Sequence, residues 1–338
     1  MKRIISLMIS ALIMIALVGC SGNESVSGEK KEDKKLTTVK VGYMPNYASL
    51  NTVVAGMKTD SFKEEGIKVK LVEFADGPTI IAALESGSID IGYIGPGAHV
   101  LPIQGKADIF AFSQLGNGDE VIGNVKKGVK SINDLKGKTI AVAPGTSSET
   151  ILNLTLAEAG LTQDDVKLMN MDASAIVTAM ISGSVDAVAT WSPNTIAIKK
   201  EMGKDVVMLS NNKRYADKSP SIASWVVKPG YSDKNKDLLE RFTRGLFKGM
   251  DYRVDHLNKV AEWVAKEIAV DPKSVLDQTG DGEWITTKEL VKRIKDGTLE
   301  AYYQKQEENF VEAGRLKKKE MRPVKDYVLF DNMLNAAN

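Results

Sequence analysis

The residues best suited to hold a small ligand sit in five short turns. They are Tyr43-Met44-Pro45-Asn46, Asp76-Gly77-Pro78-Thr79, Gly95-Pro96-Gly97-Ala98, Gly145-Thr146-Ser147-Ser148 and Trp191-Ser192-Pro193-Asn194. These turns are small, mostly rich in Gly or hydroxyls, and free of Lys and Arg. Glycine lets backbone N–H groups approach a ligand closely. Those groups, with the positive end of a helix dipole, suit an anion without any side-chain cation. Thr146, Ser147 and Ser192 can equally cap their own helices. Trp191 offers a large apolar face beside polar turn atoms, which fits a small organic ligand with an uncharged portion or a place in the core. Asp76, Asp119 and Asp172 are acids near these turns. Asp76 and Asp172 suit N-caps, and an acid that faced the ligand would suit an amine.

Enzymatic chemistry finds little support. His99 and His256 lack metal-ligand spacing to any partner. Residues 144–149, PGTSSE, do not form a G-x-S-x-G elbow, and no G-x-x-x-x-G-K-[ST] loop occurs. Cys20 is the single cysteine, which excludes disulfides within the chain and leaves no cysteine metal site. No cofactor and no metal are expected.

The turns need elements to position them. In residues 76–96, Ile80, Ile81, Ala83 and Leu84 recur at helical spacing. Ser86-Gly87-Ser88 stops that helix, with Gly87 suited to the left-handed C′ position. Ile89, Ile91, Tyr93 and Ile94 make a short strand, which Gly95-Pro96-Gly97 breaks. The unit recurs at residues 172–193: Asp172 matches Asp76, Ser182-Gly183-Ser184 matches Ser86-Gly87-Ser88, and Asp186 matches Asp90. A duplication follows, and the turns of the two copies would face each other across a cleft at the strand ends. Further strands are expected at 39–43, 67–74, 107–112, 139–143, 166–169, 205–209 and 221–227. Strands alternating with helices imply an α/β fold with mainly parallel sheets. Residues 116–119 are a flexible first crossover, and 221–227 is a return strand. Beyond Ser232 the chain reads as helical, with stripes such as Leu239, Phe242, Leu246 and Met250 at core spacing.

The chain has 338 residues and a formal charge of +1, enough for two domains and too balanced to favour nucleic acid. Lys2 and Arg3 precede an apolar run over 4–18 that is shorter than the ~20 residues of a membrane span, so residues 1–19 read as a secretory signal. Leu17-Val18-Gly19-Cys20 resembles the bacterial lipobox, which implies cleavage before Cys20 and acylation of its thiol. Residues 20–37 would then be a lipidated tether without apolar periodicity.

Together these features resemble the substrate-binding lipoproteins of ABC importers, in the nitrate/sulfonate/taurine group that also includes binders of thiamine-pyrimidine precursors. The resemblance rests on Val41-Gly42-Tyr43 with Pro45, on ALESGSIDIGYIGPGA (83–98), on DLKGKTIAVAPGTSSE (134–149) and on SGSVDAVATWSP (182–193). It implies a type II periplasmic-binding-protein fold: two lobes, each with a mainly parallel sheet flanked by helices, joined by two crossovers. Lobe 1 would comprise 38–118 and 224–338, and lobe 2 would comprise 119–223. Carried over residue by residue, the cleft contacts would be Asn46, Gly95, Pro96, Gly97, Thr146, Ser147 and Ser148, with Trp191 on the second-copy turn. Tyr43, Gly77, Thr79 and Ser192 complete the expected ligand set from the turns. The family commonly carries an acid between that Trp and the Pro, where this chain has Ser192.

The implied function is capture of a small organic anion, sulfonate- or taurine-like, and its delivery to an ABC permease and ATPase. The protein would be a monomer anchored through Cys20 on the extracytoplasmic face of the cell membrane, without nucleic acid as a partner and without enzymatic activity. Two alternatives remain. One is a binding protein for a thiamine pyrimidine precursor or other small heteroaromatic, with Tyr43, Tyr93 and Trp191 as stacking candidates. The other is an enzyme of pyrimidine-precursor biosynthesis, whose relatives carry a cysteine-rich signature that this sequence lacks.

Overall fold

The computed structural model describes residues 36–338. The expected signal, the Cys20 lipobox and the tether as far as residue 35 lie outside the described residues.

Strand β1 (Thr37–Tyr43) turns Val39 and Val41 inward and Thr38 and Lys40 outward, the period-two pattern of a strand with one solvated face. The chain continues through α1 (Tyr47–Lys58), α2 (Ser61–Glu64), β2 (Ile67–Glu73), α3 (Gly77–Ser86), β3 (Ile91–Ile94), α4 (Val100–Ile103) and β4 (Asp108–Gly116). Asn117 and Gly118 then lead into β5 (Asp119–Asn124), followed by β6 (Thr139–Val142), α5 (Ser147–Glu158), β7 (Lys167–Asn170), α6 (Ala173–Ile181), β8 (Ala187–Trp191), α7 (Asn194–Met202) and β9 (Val206–Asn211). Strand β10 (Ile222–Val227) returns to the first sheet. After it come α8 (Tyr231–Asp255), α9 (Leu257–Glu267), α10 (Pro272–Leu276), β11 (Gly282–Glu283), α11 (Thr287–Lys295), α12 (Thr298–Glu312) and α13 (Phe330–Ala336).

The strands form two sheets, ordered β11-β4-β10-β3-β1-β2 and β7-β6-β8-β5-β9. At the heart of each, three strands run parallel: β1 pairs with β2 and β3, and β6 pairs with β7 and β8. The two strands that carry the chain between sheets, β10 and β5, run antiparallel to their neighbours. Strand β5 has no counterpart in the sequence expectation. Opened by two acids and interrupted by Gly123, it reads locally as loop, yet β8 and β9 pair with it on both sides and bury Val121 and Ile122 completely.

The duplicated unit has a physical explanation. Helix α3 is capped by Asp76, which accepts from the Thr79 N–H at 2.9 Å, and ends at Gly87 with φ +74°. Helix α6 ends in the same way, with Gly183 at φ +72°. The flanking serines bond each other at 2.8 Å in both copies, Ser86 to Ser88 and Ser182 to Ser184. Asp90 then accepts from the Lys40 N–H at 2.8 Å, and Asp186 from the Thr139 N–H at 2.9 Å. Each aspartate thus ties the entry of its strand to the backbone of the neighbouring parallel strand. The recurring S-G-S-x-D pattern is therefore a register device and not a ligand contact.

Packing follows from these registers. Ile80, Ile81 and Leu84 of α3 are buried over β3, each stabilising by about 1.5–3 kcal/mol. Gly92 on β3 has no room for a side chain, because a Cβ there would lie 2.3 Å from Ile80 Cγ2. Phe242, Leu246, Phe247 and Met250 of α8 enter the same core. In the second sheet, Ile140 and Val142 of β6 face Leu152 and Leu156 of α5, while Ala141 faces Ile176 and Met180 of α6. One sheet thus separates two small cores.

Candidate functional site

The carboxyl ends of the parallel strands in both sheets point toward one cleft, where ligands of α/β sheets bind. The cleft encloses about 680 Å³, its mouth included. From the six-stranded half it is walled by Met44 and Asn46 after β1, by Gly77 and Pro78 at the start of α3, by Tyr93 of β3, and by Gly95 and Pro96 beyond it. From the five-stranded half come Asp119, Thr146, Ser147, Trp191 and Ser192. Gln114, Ser221, Gln278 and Asp281 also line it. Among the described residues lining it there is no Lys or Arg.

The polar groups are held in place by specific bonds. Asn46 caps α1, accepting from the Ser49 N–H at 2.9 Å, and the Tyr47 N–H donates to Gln278 Oε1 at 2.9 Å. Gln114 is fully buried and donates to the Tyr93 hydroxyl at 2.6 Å. Burial raises that phenol well above the usual range, so Tyr93 presents a neutral aromatic face. Trp191 stands opposite Asp119 in the β5–β8 ladder.

The two acids set the electrostatics. Asp119 is 5 % exposed, and its Oδ2 accepts from Asn212 Nδ2 at 3.0 Å. Burial pushes its carboxyl up to about 6; bonds from Ser147 and Asn212 oppose the rise, and the negative charges of Asp281 and Glu120 add to it. Burial likewise raises the Asp281 carboxyl, against the nearby Ser192 hydroxyl, and its Oδ2 is buried with no hydrogen-bond partner. A cleft with one buried and one half-buried acid, one carboxylate oxygen unsatisfied and no Lys or Arg on its wall can accept hydrogen bonds from a cationic or donor-rich group. The starts of α1, α3 and α5, which supply Ala48, Gly77 and Ser147 to the wall, add positive dipole ends.

Of the residues expected from the sequence, Asn46, Gly77, Gly95, Pro96, Thr146, Ser147, Trp191 and Ser192 are brought together on this wall. Four lie off it. Tyr43 sends its hydroxyl to Glu73 Oε2 at 3.2 Å at the end of β2. Thr79 bonds its own helix start, its N–H donating to the Asp76 side chain at 2.9 Å and its hydroxyl to the Asp76 carbonyl at 2.8 Å. Gly97 packs against the backbone of Thr146, where a Cβ would come within 1.9 Å of the Thr146 carbonyl carbon. Ser148 is fully buried and bonds Ala143 N and O, both at 3.1 Å. Gln114, Gln278 and Asp281 were not foreseen. Gln278 and Asp281 follow α10, far along the chain, and carry no local motif. His99 is buried with Nε2 on Ser224 Oγ at 2.9 Å, and burial lowers its pKa to about 4; it is a structural residue.

A family profile described as NMT1/THI5 like matches residues 48–259. The chain belongs to that family. A Brucella abortus (strain 2308) protein named only as a binding protein is 33% identical over 294 residues, covering 87% of this chain and 90% of its own. A Bacillus subtilis (strain 168) protein named for binding aliphatic sulfonates is 26% identical over 297 residues, covering 85% and 86%. Among solved structures, the alkanesulfonate-binding protein SsuA from Xanthomonas axonopodis pv. citri, bound to MOPS, superposes with a TM-score of 0.69 over 86% of this chain and 97% of its own, at 18% identity. The fold is that of periplasmic binding proteins. All three of these proteins are named for binding.

Proposed function

We propose that this protein is an extracytoplasmic solute-binding lipoprotein that captures a small zwitterion, an aminoalkanesulfonate such as taurine, and delivers it to an ABC permease and its ATPase. The carrying observation is that a cleft without a lining cation combines Asp119 and Asp281 with the starts of three helices. The acids would take the ammonium end, and the helix N-termini would take the sulfonate. A purely anionic ligand would leave both acids unpaired. The sulfonate-binding name of the Bacillus relative supports the anionic half of this assignment. Residues 38–118 with 224–338 would form one lobe and 119–223 the other, closing on the ligand by hinge motion. Cys20 would carry the lipid after removal of residues 1–19, and the protein would act as a monomer on the membrane.

A second reading, a thiamine pyrimidine precursor, is favoured by the two aromatic side chains, Tyr93 and Trp191, on the same wall. A thermal-shift screen of the full chain with taurine, ethanesulfonate, nitrate, bicarbonate, thiamine and that pyrimidine separates them. A ligand at 100 times its Kd stabilises by ~2.7 kcal/mol. A raised midpoint with taurine supports the proposal, a rise only with the pyrimidine transfers it to the second reading, and no rise with any of them removes both ligand assignments.

A further inference from the structure

Arg315 follows α12 on the six-stranded half and reaches across to the five-stranded half. Its side chain is only 11% exposed, and Nε lies 3.3 Å from Glu149 Oε2. One terminal nitrogen donates to Thr150 Oγ1 at 3.1 Å, the other to the Gly97 carbonyl at 2.8 Å. The guanidinium sits over the Phe310 ring, 5.0 Å from its centroid. Glu149 and Thr150 belong to the first turn of α5, whereas Gly97 belongs to the turn after β3. One planar cation therefore engages both halves at once, with a separate donor for each acceptor.

The contacts fall where backbone of one half touches backbone of the other. Gly97 lies directly against the backbone of Thr146 and Ser147, with no space for a methyl group between them. Glu149 Oε2 also accepts from the Gly145 N–H at 2.9 Å. The Arg315–Glu149 pair thus braces the turn that places Thr146 and Ser147 on one side of the cleft. The bond to Gly97 holds the turn that places Pro96 on the other. Arg315 is not on the ligand wall described above; it lines an adjoining cavity that shares Pro96, Asp119, Ser147 and Ser221 with the cleft.

We propose that Arg315 is an interlobe latch, a positioning residue that fastens the α5 turn to the Gly97 turn and prolongs the shut state of the cleft. The latch is independent of ligand identity; only its consequence for ligand lifetime rests on the capture role proposed above.

The test is small-angle X-ray scattering of the full chain without ligand, comparing wild type with Arg315→Gln and Arg315→Lys. The expected result is a larger radius of gyration and maximum dimension for Arg315→Gln with unchanged circular dichroism. Arg315→Lys should be intermediate, since an ammonium reaches part of the acceptor set without the fork. With taurine as the probe, Arg315→Gln should release ligand about tenfold faster or more, the equivalent of 1.4 kcal/mol, with little change in association rate. Identical scattering of wild type and Arg315→Gln would overturn the latch. Should Arg315→Gln fail to fold, the pair Glu149→Gln with Thr150→Val weakens the same contacts from the other half, keeps an acceptor for Gly145, and decides by the same scattering. Failure of taurine to bind wild type would remove the ligand assignment and leave the scattering result to judge the latch alone.

Discussion

Replacing Asp119 with asparagine should stabilise the empty protein and weaken its hold on a cationic ligand. In the unfolded chain this carboxyl titrates near its ordinary value of 3.8, and in the folded protein burial moves it to about 6. Between those values the folded state binds more protons, so stability falls as pH rises through that window. The folded state carries no penalty below about pH 4 and the full penalty above about pH 6, in all ~3 kcal/mol. The amide of Asp119→Asn can still present its carbonyl to Asn212 Nδ2, which now bonds Asp119 Oδ2 at 3.0 Å. The substitution removes the charge and leaves the shape. At pH 7.5 the thermal midpoint should rise by about 6 °C, at roughly 2 °C per kcal/mol for a body of this size; at pH 4 the two proteins should coincide. Isothermal titration with taurine at pH 7.5 should show the opposite sign, a loss of about 30-fold, or ~2 kcal/mol, from removing one partner of a buried charge pair. A variant that melts lower at pH 7.5, or binds taurine as well as wild type, would refute the reasoning.

Other substitutions test other links. Gly97→Ala should force the halves apart, since its Cβ would meet the Thr146 carbonyl carbon at 1.9 Å; equilibrium titration should show at least tenfold weaker ligand binding with a nearly unchanged melting midpoint. Trp191→Ala should weaken binding of a heteroaromatic ligand about 30-fold or more, since loss of stacking and of apolar burial against the ring together come to ~2 kcal/mol or more, but weaken taurine only a few-fold, read by competition. Gly92→Ala should destabilise by about 1–3 kcal/mol in urea unfolding, because the added methyl has only Ile80 Cγ2 to displace, 2.3 Å away. Taurine affinity of wild type should fall as pH drops below about 6, approaching tenfold per pH unit, as Asp119 takes up its proton.

The fold was legible where local chemistry repeats. Gly87 and Gly183 both adopt the left-handed conformation that their S-G-S setting implies, and the buried Ile and Val positions of β3 and β8 follow directly from the run of apolar residues. Strand β5 was not legible, because its pairing partners β8 and β9 lie far along the chain and its own residues include a glycine and two acids. At the site, the turns could be located from Gly and hydroxyl content, but the direction of each hydroxyl could not. Thr79 and Ser148 satisfy their own turns, while Ser147, one residue away from Ser148, faces the cleft. Gln278 and Asp281 escape local reading altogether. Their position depends on the contact of Gln278 with the first N–H of α1 and of Asp281 with the Asn117 N–H, at 2.9 and 2.7 Å. Such contacts are decided by tertiary packing and leave no spacing in the sequence.

The most direct test of the central claim is a calorimetric titration of the full chain with taurine and with ethanesulfonate, two sulfonates that differ by the amine. Acids facing the ligand predict that taurine binds with at least tenfold lower Kd, about 1.4 kcal/mol. Equal affinity for the two, or preference for ethanesulfonate, would contradict a role for Asp119 and Asp281 in holding an ammonium group.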